Sequence, residues 1–135
     1  CFARIIVGRV QYDTFWHHGI DSSANIGGKV NKAKQVEQLV AADAVFTAHS
    51  HICLEAPPSY VAYLPTNERK ISYREVRNYI CGCAYDSRVP GYAEEKGYAP
   101  ILPAHLAVTL HGYVNHRNSP SENKQQTCEL WRVNP

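Results

Sequence analysis

Methionine is absent from the 135 residues, and the chain opens on Cys1. Read on its own, that start implies a processed, engineered or truncated product of something longer. Long apolar runs are absent as well. Runs such as Ile5–Val7 and Ala44–Phe46 are short against the ~20 residues that a bilayer span needs, so no membrane crossing is expected. Charge of one sign is nowhere concentrated. Residues 1–51 carry 5 basic and 4 acidic side chains, residues 52–135 carry 9 and 8, and the net charge is +2 with His neutral. Long-range attraction to nucleic acid or anionic lipid is therefore not the theme. The C-x-x-C spacing of zinc knuckles and redox motifs is missing too. The five cysteines are Cys1, Cys53, Cys81, Cys83 and Cys128, and Cys81-Gly82-Cys83 is the tightest pair. An odd set of thiols in a chain of this size reads as reduced, which points to the cytoplasm. What is present is the composition of one globular domain, 44 % hydrophobic and 19 % charged. That excludes disorder, collagen and coiled coil.

The patterning predicts a layered α/β domain. Ala3–Val7 and Val10–Trp16 are β-branched and aromatic, with Gly8-Arg9 between them, and read as a strand pair. His17–Gly28 is polar and Gly-rich, a loop. Lys29–Ala42 repeats Ala33, Val36, Leu39 and Val40 at helical spacing, with Asn25 or Asn31 as candidate caps. Ala44–Ala48 reads as a buried strand, completing strand–loop–helix–strand, the βαβ order. Beyond it, Ser59–Leu64, Glu75–Cys83, Ala107–His111 and Cys128–Val133 read as strands separated by Pro, Gly and Asn breakers. Strands with so little helix between them suggest antiparallel pairing. Tyr92–Lys96 is a candidate short helix.

Four of the seven histidines fall in two tight pairs. His17-His18 follows one predicted strand end and His49-Ser50-His51 another, 32 residues from His17 to His49. In a layered α/β sheet the strand carboxyl ends line one edge, where ligands bind. Inside a strand an H-x-H would split its rings between two faces, but past the strand end both can address one site. Neutral imidazole suits Zn, Fe, Ni and Cu, so the two pairs are candidate metal ligands.

The run His17-His18-Gly19, the Gly27–Lys32 stretch GGKVNK and the Asp43–His51 stretch DAVFTAHSH, with GYAEEKGYAP at Gly91–Pro100, resemble the calcineurin-like metallophosphoesterases of the phage and bacterial type. The likeness covers most of residues 10–110. It implies a layered β-sandwich with flanking helices, of which residues 1–135 would be the carboxyl-terminal part of a single domain. It also implies a metal-dependent phosphoesterase, a phosphodiesterase or phosphatase. Two divalent cations (Mn, Fe, Zn or Ni) would sit ~3.5–4 Å apart, clamp the phosphate and activate water. His17 or His18 would bind one metal, with His17 favoured; His49 would bind the same metal and His51 the other. The partners implied are a phosphoester, with nucleotide and nucleic acid among the open choices, and the upstream half of the same domain. Two departures stand out. Ala48 occupies the family's Gly before the first His of H-x-H. The family's upstream Asp-x-His, Gly-Asp and Gly-Asn-His elements are missing, and residues 1–16 hold Asp13 as their one acidic residue and no Asn. The chain alone is therefore expected to be inactive.

The Gly-rich loop is not a P-loop, because Ser23 stands at the required Gly and Val30 follows Lys29. Lys29 and Lys32 at a helix start nevertheless suit a substrate anion. His105, His111 and His116 are scattered and read as core or surface, and Cys53 as an apolar thiol. The nine Tyr fit packing and show no repeated stacking platform. Two other functions compete. One is a non-catalytic nucleic-acid or protein binding module using Lys29, Lys32 and surface Tyr. The other is a structural zinc domain drawing on His49, His51, Cys53, Cys81 and Cys83.

Overall fold

A computed structural model describes residues 1–19, 25–67, 69–82, 104–112 and 125–132. The first two strands, β1 (Phe2–Val7) and β2 (Val10–His17), pair antiparallel from Phe2 opposite Phe15 to Val7 opposite Val10. The two-residue turn between them places Gly8 at φ +62°, where a hairpin of this length calls for a residue without Cβ.

The helix α1 spans Ile26–Glu37. It starts before Lys29 because Asn25, itself extended, accepts the Gly28 N–H at 2.7 Å. It stops at Glu37 rather than at the expected Ala42. The Leu39 N–H turns back to the Val36 carbonyl at 3.0 Å. The Asp43 N–H then reaches the Asp13 carbonyl at 2.7 Å, while the Asp43 carboxylate accepts the Asp13 N–H at 2.8 Å. Tying Asp43 to β2 draws the chain out of the helix and into β3 (Ala44–Thr47).

Four more strands follow: β4 (Leu54–Tyr63), β5 (Ser72–Ile80), β6 (Ala104–His111) and β7 (Gln125–Arg132). One five-stranded sheet has the order β1-β2-β3-β5-β4, and β6-β7 form a separate two-stranded sheet. β3 pairs parallel with both β2 and β5, whereas β4–β5 and β6–β7 are antiparallel. The expected antiparallel pairings are present, yet β5 joins the first sheet instead of founding a second. Pro57-Pro58 was expected to break the chain. Both residues lie within β4, where the register shifts between Ala56 and Ser59. An edge strand tolerates such prolines because its outer N–H groups have no ladder partner to lose. The candidate helix at residues 92–96, together with Cys83 and His116, lies outside the described residues.

Strand alternation sorts the sheet's side chains to two faces. On one face, Ala42, Val45 and Val76 form a buried cluster with Phe15, Val36 and Val40, and the Asn78 amide donates to the Ala33 carbonyl of α1 at 2.8 Å. Full burial of a Val is worth ~1.5–3 kcal/mol, so this patch holds the helix down. On the other face, the Tyr12 hydroxyl lies 2.7 Å from the His111 carbonyl oxygen and accepts the Gln125 N–H at 3.1 Å. The Tyr79 hydroxyl donates to Gln126 at 3.0 Å, and the Gln126 amide donates to the Asp43 carbonyl at 3.2 Å. The β6–β7 pair thus covers the face opposite the helix. Among the described residues, the chain is an α/β protein with a mixed sheet between one helix and the β6–β7 pair. None of its described helices is long and apolar enough to cross a membrane.

Candidate functional site at the strand carboxyl ends

Because β2, β3 and β5 run parallel, their carboxyl ends His17, Thr47 and Ile80 share one edge of the sheet. The chain leaves β2 through His18-Gly19 and leaves β3 through Ala48–His51, so both histidine pairs arrive there. The His18 and His49 rings are 4.9 Å apart between centroids, and those of His49 and His51 are 6.1 Å apart. All three are exposed. His49 and His51 have φ of +69° and +55°, a left-handed backbone that a Cβ makes costly. Ala48, directly before them, is not among the residues with positive φ. The strain falls on the histidines themselves.

His17 is set apart from that group. Its ring stacks on Phe15 at 6.1 Å, and its Nδ1 accepts the Gly19 N–H at 2.9 Å. A backbone N–H can only donate, so Nδ1 is an acceptor and the neutral ring carries its proton on Nε2. Nε2 then offers a hydrogen bond and not a lone pair. Gly19 makes this turn possible: its φ is +88°, and a Cβ there would fall 2.5 Å from the Ala48 carbonyl oxygen.

Between α1 and this edge lies a groove of about 340 Å³, lined on its polar side by His17, Lys29, Lys32, Thr47 and Ser50. Ala33, Val36 and Leu39 of the helical side form its apolar wall. Lys29 Nζ donates to the Ser50 carbonyl at 2.6 Å and pins the histidine loop to the helix. Thr47 and Ser50 are 6 % and 5 % exposed, and neither hydroxyl has a hydrogen-bond partner. Sequence reasoning passed over both, since a strand Thr and the Ser of H-S-H are individually unremarkable residue types. Their one sequence signal is position, immediately around the strand end that carries His49.

Of the thiols in the zinc reading, Cys53 follows His51 by two residues and Cys81 directly follows β5, while Cys83 lies outside the described residues. Burial pushes the Cys53 thiol up, and burial together with Cys53 raises Cys81. Cys128 is pushed up to about 11, first by burial and then by Glu55. Protonated thiols are weak metal ligands. The His111 ring contacts the Thr127 hydroxyl at 3.1 Å, whereas the exposed His105 follows Ala104, which packs with Cys53 against Gly82 just past the end of β5.

Among the described residues, the donors gathered at this edge are imidazoles. Three imidazoles supply nitrogen, but the Asp13 carboxylate binds Arg4 at 2.7 Å and that of Asp43 serves the amino end of β3. Among the described residues, no three His, Cys, Asp or Glu side chains are gathered closely enough to hold a metal ion. Comparison of the chain with protein-family models, with curated proteins and with solved structures returns no match.

Proposed function

We propose that this strand edge is the histidine half of a metal-dependent phosphoester hydrolase of the calcineurin-like type, with the layered sandwich of that family completed by an upstream half. The observation that carries the proposal is the gathering of His18, His49 and His51 beyond β2 and β3, two of them on strained backbone. Strain of this kind clusters at functional sites, where the surrounding structure maintains it. His18 replaces His17 as the favoured ligand, because Nδ1 of His17 is already occupied. The exposed rings turn about their side-chain torsions to converge on an ion, and the remaining ligands are carboxylates from outside the described residues. When bound, two divalent ions supply Lewis acidity and a water acidic enough to attack phosphorus. This chain's own residues orient the phosphate: Lys29 and Lys32 lie at the first turns of α1, whose free N–H groups also favour an anion.

The test is uptake of Ni2+ or Zn2+ by calorimetry on the wild-type chain and on the H49A/H51A double variant. Measurable binding by the wild type, weakened at least ~10-fold in the variant, is expected for lost imidazole ligands. Equal uptake by the two proteins overturns the reading. The chain alone should turn over no phosphodiester, since three imidazoles lack the bridging carboxylate.

A further inference from the structure

The groove beside the histidines has its own chemistry. Thr47 and Ser50 are more than nine-tenths buried, both line the groove, and neither hydroxyl is satisfied. A buried hydroxyl without a partner costs stability, so two of them in one groove mark a place prepared for something that pairs with them. The charged groups around them are the cations Lys29 and Lys32, and Gln35 adds an amide with both a donor and an acceptor. His17 offers Nε2–H, since its Nδ1 is engaged. Lys32 adds an ammonium that is paired with none of the described residues. Among the described residues, no carboxylate lines the groove. Hydroxyl, imidazole N–H and ammonium donors converging without an acid select an oxyanion. Opposite them stands an apolar wall of Ala33, Val36 and Leu39, and Leu39 is 83 % exposed. A bare inorganic ion leaves that wall wet, whereas an ester with an apolar body covers it. A volume of about 340 Å³ lies at the small end of ligand pockets.

We infer that this groove binds the phosphoryl head of a small organic phosphate ester, held by Thr47, Ser50, His17 and Lys32, with the ester's organic group along Val36 and Leu39. The class of substrate rests on the phosphoesterase reading; the binding itself needs no metal.

The experiment is calorimetry in EDTA with phenyl phosphate, inorganic phosphate and benzoate. Phenyl phosphate should bind about tenfold more tightly than inorganic phosphate, as expected for covering part of an apolar wall. T47V and S50A should each weaken phenyl phosphate about tenfold, the loss of one hydrogen bond to a charged group. T47V should at the same time melt no lower than the wild type, because it removes an unsatisfied hydroxyl; a merely structural Thr would lose stability instead. Absence of saturable binding, unchanged affinity in both variants, or benzoate binding as tightly as phenyl phosphate overturns the inference. If the wild type binds phenyl phosphate in EDTA while taking up no Ni2+, the groove stands and the metal reading alone fails.

Discussion

At the scale of single residues, the histidines divide by hydrogen bonding rather than by spacing. His17 and His18 are adjacent in sequence, and nothing in the letters separates a donor from a ligand. The Gly19 N–H does so by occupying Nδ1 of His17. Nitrogen NMR of the histidine rings should show His17 as the Nε2–H tautomer at neutral pH, and H18A should lower Ni2+ affinity more than H17A. The reverse order would restore His17 as the ligand. His49 and His51 make a second prediction, because Gly relieves left-handed strain that Ala retains. H51G should be more stable than H51A by about 1 kcal/mol in urea unfolding, although both lose the ring. The structure places both histidine pairs at one edge of the sheet, and they were visible in the sequence because each follows a predicted strand end. Thr47 and Ser50 were not, because what distinguishes them is burial without a partner, a property of three-dimensional surroundings.

At the scale of elements, local sequence pattern located every described strand but put the starts of β4 to β7 three to five residues late, and it misjudged where elements end. The helix shows why. Leu39 and Val40 continue the helical repeat in sequence, yet the Asp43–Asp13 backbone pairing pulls the chain straight before they can join it. Pro57-Pro58 shows the opposite error. Local chemistry reads the pair as a break, and only the position of β4 at the sheet edge makes them compatible with a strand. The parallel partnership of β3 with β5 depends on pairing across the chain and has no local signature. The Asn25 cap belongs to this scale as well, since it sets where Lys29 and Lys32 stand. N25A should lower stability by ~1 kcal/mol in thermal or urea unfolding, the usual value of an N-cap side chain. An unchanged transition would mean that the Gly28 hydrogen bond does not hold the helix start.

At the scale of the whole molecule, the helix and the β6–β7 pair are held to opposite faces by different chemistry, one by apolar packing and the other by tyrosine hydroxyls. Y12F should therefore cost about 1–2 kcal/mol, the penalty for leaving backbone groups of that strand pair short of a buried partner. The same face sets the response to alkali. The Cys128 thiol ordinarily ionises near 9.0, and in the folded chain it is held up to about 11 by burial and Glu55; Tyr79 is raised as well. Between these values the folded state keeps a proton that the unfolded chain has released, so stability falls as pH rises through that window. A melting series from pH 8 to pH 11 should show this fall, with a shallower slope in C128A; an identical slope in the two proteins would exclude the thiol as its source. The sheet's two margins carry a last consequence. β4 closes one margin with Pro57-Pro58 and a register shift, while β1 leaves the other open, with Phe2 and Ile6 more than half exposed. Among the described strands of the five-stranded sheet, β1 therefore offers a margin that a further extended segment could pair with, while the prolines of β4 withhold one.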